Sequence, residues 1–198
     1  MNEARKKRYV MLASVICLLM HTPCQTLSLT LFPPDFSLDF PLYPPEAILL
    51  IQFGGSFLLL GMTVIGMKAE EEKETLAAAG FTAMAISMGV SMAGLFEITN
   101  VNSAESYEKF YYVTVSSNFL LFPSIVLIAT YSRFKKWIRV AGFIFIFPLL
   151  ISTMLFVGGY RNYRNLELIS NTGYTMGMIL YALWAYNIYV NYKEESKA

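Results

Sequence analysis

Six apolar stretches, each about as long as a bilayer is thick, leave this chain few folds to choose from. They lie near residues 9–31, 46–67, 76–98, 110–131, 137–158 and 169–192. A helix needs about 20 apolar residues to cross the hydrocarbon core. In lipid every backbone N–H and C=O must find an internal partner, so runs of this length fold as helices. The charges fall in short clusters between the runs. They make up 15% of the residues, against about 25% in a soluble domain. The pattern predicts an all-α, polytopic integral membrane protein: a six-transmembrane-helix bundle forming one domain over residues 1–198.

Lysine and arginine set the expected threading. Arg5, Lys6, Lys7, Arg8, Lys68, Lys73, Arg133, Lys135, Lys136, Arg139, Lys193 and Lys197 fall on one side, twelve in all, and only Lys109, Arg161 and Arg164 on the other. Cytoplasmic segments keep positive charge, so both termini are expected in the cytoplasm, as an even number of spans requires. The membrane could be the plasma membrane or an endomembrane. The first run also has the outline of a signal peptide. No small-x-small cleavage site follows it, so it reads as a retained span; removal would leave five.

The first span carries an unusual load of polar residues. Ser14, Cys17, His21, Cys24, Gln25 and Ser28 recur at offsets of three, four and seven, which places them on one helical face. Polar groups are costly in hydrocarbon, so this face should point into the bundle or a wet cavity. Pro23 should free a backbone carbonyl near His21. Cys17, His21 and Cys24 are weak candidates for metal ligands, since soft sulfur suits copper(I) or zinc. No second histidine and no CxxC motif completes a site, so neither metal nor cofactor is expected. Seven residues of helix set the two cysteines roughly 10 Å apart, too far for a disulfide.

Elsewhere, Ala85, Gly89 and Ala93 on span three, and Gly173 and Gly177 on span six, form small-residue rows that let helices approach closely. They are expected to join neighbouring spans, with a homodimer as the alternative. Met84, Met88 and Met92 read as adaptable packing. Gln52, Ser56, Ser116, Ser117, Asn118, Asn171 and Asn187 are candidates for an interior lining. Tyr111, Tyr112, Tyr131, Trp137, Tyr160, Tyr163, Tyr189 and Tyr192 sit at span ends, where interfacial anchoring is expected. No acid occupies the middle of a span, which counts against an ion-coupled transporter. No phosphate loop, nucleophile–base pair or nucleic-acid motif is visible.

The longest outer connection, "FPPDFSLDFPLYPPE", is stiffened by proline and should be non-helical. It brings Asp35, Asp39 and Glu46 to the expected outer face, which also carries Glu97, Glu105, Glu108 and Glu167. Pro45 or Glu46 should lie in the first turn of span two, where a carboxylate favours the helix dipole. "DFPLYPPE", Asp39 to Glu46, is similar to the first-loop signature of the damage-regulated autophagy modulator family, approximately Ser-Asp-x-Gly-x-x-Pro-Pro-Glu. Asp39, Pro44, Pro45 and Glu46 match in spacing, whereas Leu38 and Pro41 stand where the family has serine and glycine. "GLFEITN" at the end of span three loosely resembles a second family stretch. The resemblance implies six spans, cytoplasmic termini and a role in the membrane rather than a defined reaction.

The expected function is therefore non-catalytic: a multi-pass protein that binds or organises lipid, or modulates a membrane partner. The candidate ligand-binding residues are His21 and Gln25 inside the bundle and Asp39 and Glu46 outside, the latter paired with Arg161 or Arg164. The expected partners are membrane lipids, a membrane protein or a second copy of the chain, and not nucleic acid. Two alternatives stand beside this reading. One is a small-solute or metal-ion transporter with a polar path lined by span one. The other is a lipid-modifying membrane enzyme with His21 as general base, titrating near 6–7 if unshifted.

Overall fold

A computed structural model describes residues 3–36, 38, 40–98, 101 and 103–195. Asp39 therefore lies outside the described residues. Six α-helices follow in order: α1 (Glu3–Leu31), α2 (Pro45–Glu71), α3 (Thr75–Ile98), α4 (Ala104–Ile128), α5 (Lys136–Val157) and α6 (Tyr163–Glu195). There is no strand among the described residues, only an isolated pairing of Asp35 with Leu42. Helices α1 to α5 are each long and apolar enough to cross a membrane. Helix α6 is the longest but carries more polar residues.

The helix limits have local causes. Helix α4 begins six residues before the apolar stretch because Ser103 and Ser106 form a capping box: each side-chain oxygen accepts the other's backbone N–H, at 3.2 and 3.1 Å. These bonds satisfy donors that a helix start otherwise leaves orphaned. Helix α2 opens on Pro45, with Glu46 in its first turn. It ends in a tight turn where Lys73 adopts φ 62° and the N–H of Glu74 reaches the carbonyl of Ala69. Prolines 23, 123 and 148 lie inside α1, α4 and α5.

Each helix packs on its neighbours in sequence, and α6 closes back on α1. The result is a ring of six. Its outer surface is apolar: Leu49, Phe53, Leu60 and Met67 on α2 and Ile144 and Phe147 on α5 are all more than half exposed. A continuous apolar surface of this kind suits hydrocarbon, not water. The polar stripe of α1 turns inward. Ser14, Cys24, Gln25 and Ser28 are buried, and Ser28 Oγ donates to the carbonyl of Ala47 at 3.1 Å, tying α1 to α2.

The small residues serve the ring unevenly. On α3 the close contacts are made by Gly80, Ser87 and Gly94, seven residues apart. A Cβ at Gly80 would stand 2.7 Å from the backbone N of Ile128, and one at Gly94 2.8 Å from Val113 Cγ1. Ser87 Oγ donates to the carbonyl of Ser117 at 2.8 Å. The expected row Ala85–Gly89–Ala93 is not this seam: Ala93 is exposed, and a Cβ at Gly89 would meet nothing nearer than 3.7 Å. Gly173 does seat α6 on α5, where a Cβ would stand 2.6 Å from Leu149 Cγ. A Cβ at Gly177 would make only ordinary contact, with Tyr181 Oη at 3.7 Å.

Two clusters close the ends of the ring. At one end Phe81, Phe134 and Trp184 pack together, with Phe134 stacked on Trp184 at 5.6 Å between centroids. Beside them Glu72 accepts from Tyr131 Oη at 2.9 Å and pairs with Lys68 and Arg133, each at 3.3 Å. Burial, reinforced by Glu72, pushes the Tyr131 phenol above its ordinary range. At the other end Phe40, Tyr107, Tyr111, Phe156 and Tyr163 form a second cluster. Tyr111, Tyr131 and Tyr163 are thus buried, a correction to their expected place as interfacial anchors. Tyr112, Trp137, Tyr160 and Tyr189 remain exposed.

Candidate functional site

Between the two aromatic clusters lies a cavity of about 130 Å³. Every helix of the ring contributes to its wall: His21 from α1, Ile51 from α2, Met88 from α3, Phe110 from α4, Leu149 from α5 and Tyr174 from α6. Its size is close to the roughly 150 Å³ engineered cavity that admits benzene. The wall is mostly apolar, as ligand pockets are, with polar groups gathered mainly at two places, besides Ser91 on α3 and Thr114 on α4.

The first place is on α1. His21 and Gln25, expected inside the bundle, do line the cavity. His21 sits edge-on to Tyr181 of α6, 5.6 Å between ring centroids. Its Nδ1 is buried without a hydrogen-bond partner, as are Thr22 Oγ1 and Gln52 Nε2 on the adjoining turns of α1 and α2. Such orphans are uncommon in folded proteins and mark a site worth explaining. The two cysteines face elsewhere. A Cβ at Gly61 of α2 would stand 3.3 Å from Cys17 Cβ, and one at Gly54 2.8 Å from Cys24 Cβ, so both thiols belong to the α1–α2 contact. Among the described residues no three His, Cys, Asp or Glu side chains gather to hold a metal ion.

The second place is on α6, and the sequence reading missed it. By sequence Glu167 falls among the expected outer charges, two residues before the expected start of span six. It is 7% exposed and lines the cavity with Ser170, Asn171 and Tyr174. Tyr43 Oη donates to one of its carboxylate oxygens, and Tyr107 Oη donates to the other at 2.9 Å. Burial pushes the Tyr43 phenol well above its ordinary value, and the neighbouring carboxylate adds to the effect. One turn deeper, Ser170 Oγ bonds Tyr111 Oη at 3.0 Å and Ser152 Oγ at 2.8 Å. The signal was present in the sequence: Glu167, Ser170, Asn171, Tyr174 and Tyr181 share one helical face.

Residues 32–36, 38 and 40–44 form a roof over this end of the cavity. Asp35 and Leu42 exchange two backbone hydrogen bonds, at 2.8 and 2.9 Å. Phe40 is buried and stacks on Tyr107 at 5.8 Å, and Tyr43 reaches Glu167. The outer candidates are distributed differently from expectation. Glu46 is exposed at the start of α2. Arg161 pairs with Glu108 at 2.8 Å, not with the roof, and its guanidinium lies 4.2 Å from the Phe156 ring centroid. Arg164 lies over the Phe36 ring at 5.9 Å, so it does touch the roof, through an aromatic face rather than a carboxylate.

Of the remaining polar candidates, Asn118 donates to Thr153 Oγ1 at 2.9 Å, a buried link between α4 and α5. Asn187 accepts from Lys135 N and donates to the Arg133 carbonyl. Ser56 and Ser116 are exposed and bond carbonyls of their own helices. Comparison with protein-family models, with curated proteins and with solved structures finds no match for this chain.

Proposed function

We propose that this is a non-catalytic, six-span membrane protein that binds an amphiphile, a membrane lipid or lipid-like molecule, inside its helix ring. The observation that carries the reading is the cavity itself: walls from all six helices, apolar along its length, with polar groups at His21–Gln25 and at Glu167–Asn171. Tyr181, which faces His21, lies ten residues of α6 beyond Asn171, about 15 Å of helix, so the two polar places sit at different depths. In this reading α6 also spans, its polar face turned to the cavity. The bias of basic residues supports a threading with both termini and the Glu72 network in the cytoplasm and the roof outside. The similarity of Asp39–Glu46 to the damage-regulated autophagy modulator family supports the same reading, since the matching loop supplies part of the roof.

The test is retention of lipid by the full chain purified from membranes in a mild non-ionic detergent. Native mass spectrometry should find a bound lipid on the wild type. Gly177→Leu should lose it, because a side chain there grows into the cavity and a Cβ meets nothing nearer than 3.7 Å. Equal retention by both proteins would overturn the reading.

A small-solute transporter is the second reading, and the buried acid Glu167 favours it. That reading also needs a polar path through the opposite end, which Phe81, Phe134 and Trp184 fill. Saturable flux into vesicles, lost in His21→Ala, would favour transport.

A further inference from the structure

Resting on the reading of the cavity as a ligand site, we infer that its roofed end recognises an ammonium group. The carboxylate of Glu167 would meet the charge, and the rings of Tyr43, Tyr111 and Tyr174 would enclose it. Three observations converge on this. Among the described residues Glu167 is the only carboxylate lining the cavity, and no lysine or arginine lines it. Among the described residues no lysine or arginine pairs with Glu167; its oxygens accept from the two phenols. Three of the side chains lining the same end as Glu167 are tyrosines.

The chemistry follows from these. A carboxylate in a water-poor interior is costly unless a positive charge or several donors compensate it. The phenols of Tyr43 and Tyr107 orient the carboxylate and take about half of its roughly four acceptor positions, and the Asn171 amide also reaches it. The rest remain for a ligand. An ammonium group supplies the missing charge, and a tyrosine face attracts the same cation through its ring quadrupole. An anionic or uncharged headgroup gains neither interaction. The apolar wall beyond Ser170, with Met88 and Leu149, would take the hydrocarbon attached to the ammonium. This chemistry is shared by the headgroup of an amine-bearing lipid and by a free organic amine.

The test uses the full chain in a non-ionic detergent at neutral pH and two probes of matched size, benzylammonium and benzyl alcohol, by titration calorimetry. The wild type should bind the cation about tenfold or more tightly than the alcohol, the factor expected of one charge-assisted contact. Glu167→Gln should lose that preference while still binding the alcohol. Equal affinity for the two probes in the wild type, no binding of either, or an undiminished preference in Glu167→Gln would each overturn the inference. The comparison of probes on the wild type stands even if Glu167→Gln fails to fold. Gly177→Leu separates the two levels of the proposal. If it abolishes alcohol binding while the wild type shows no cation preference, the cavity reading holds and the ammonium inference fails. The source of the ammonium is read from nanodiscs: competition of the probe by phosphatidylethanolamine, but not by phosphatidylglycerol, assigns it to a lipid. Undiminished probe binding in both assigns it to a free amine.

Discussion

Removing a single oxygen, in Tyr43→Phe, should unlatch the roof without disturbing its packing. The ring stays, so no apolar area is lost. What goes is the O–H donor to one oxygen of Glu167, a carboxylate that is 7% exposed and keeps only Tyr107 Oη, at 2.9 Å, as its other phenol donor. A hydrogen bond to a charged group contributes about 1.5–3 kcal/mol. If that energy holds the roof closed, its open population rises about 10–150-fold. Asn171, which also interacts with Glu167, can turn toward the freed oxygen and shift the result to the lower end of this range. Hydrogen–deuterium exchange reads the effect directly. The amides of Asp35 and Leu42 bond each other's carbonyls within the roof, so their exchange should accelerate by that factor while amides of the α2–α3 turn keep their rates. Tyr112→Phe is the control: its hydroxyl is exposed and 3.5 Å from Glu108, and the roof should not respond. Roof exchange within twofold of wild type in Tyr43→Phe would refute the latch.

Gly173→Ala places a methyl group 2.6 Å from Leu149 Cγ and 3.0 Å from its backbone N, so overpacking should cost about 1–3 kcal/mol. A thermal melt in detergent should show a lower midpoint for Gly173→Ala, whereas Gly177→Ala, four residues on, where a Cβ meets nothing nearer than 3.7 Å, should melt close to wild type. Asn118→Ala, which strands Thr153 Oγ1 in the α4–α5 contact, should cost about 0.6 kcal/mol and at most about 1.7 kcal/mol, the range for such bonds in membrane proteins; a double-mutant cycle with Thr153→Val checks it. Alkali should loosen the roof. The Tyr43 phenol is held above its ordinary value of 10.0, so its contribution is present in full below about pH 10 and is lost as pH rises through the folded value. The melting midpoint should fall in that window, and fall less in Tyr43→Phe.

Much of the scaffold was legible because bilayer thickness and helical period act locally along the chain. Each of the six apolar stretches lies within or across one helix, and the stripe on α1 points inward, with Ser14, Gln25 and Ser28 all buried. The misses share a cause. The seam of α3 follows Gly80, Ser87 and Gly94 because helices that wrap one another at a shallow angle meet every seven residues; a four-residue row selects a different strip. Glu167 looked like a rim charge because nothing near it in sequence reveals that Tyr43, 124 residues away, donates to it. Arg161 likewise finds Glu108 across 53 residues. Tyr111, Tyr131 and Tyr163 follow the statistical habit of aromatic residues at span ends, yet each is taken into a plug by partners that only the closed ring brings together.

The central claim is that the inside of the ring, and not only its outer surface, holds an amphiphile. A lipid with a photoactivatable acyl chain, cross-linked in native membranes and mapped by peptide mass spectrometry, addresses it directly. Adducts on Met88, Met92 and Tyr174, which line the cavity, are the predicted result. Adducts confined to outward residues such as Leu168 and Ile179, 69% and 52% exposed, would contradict it.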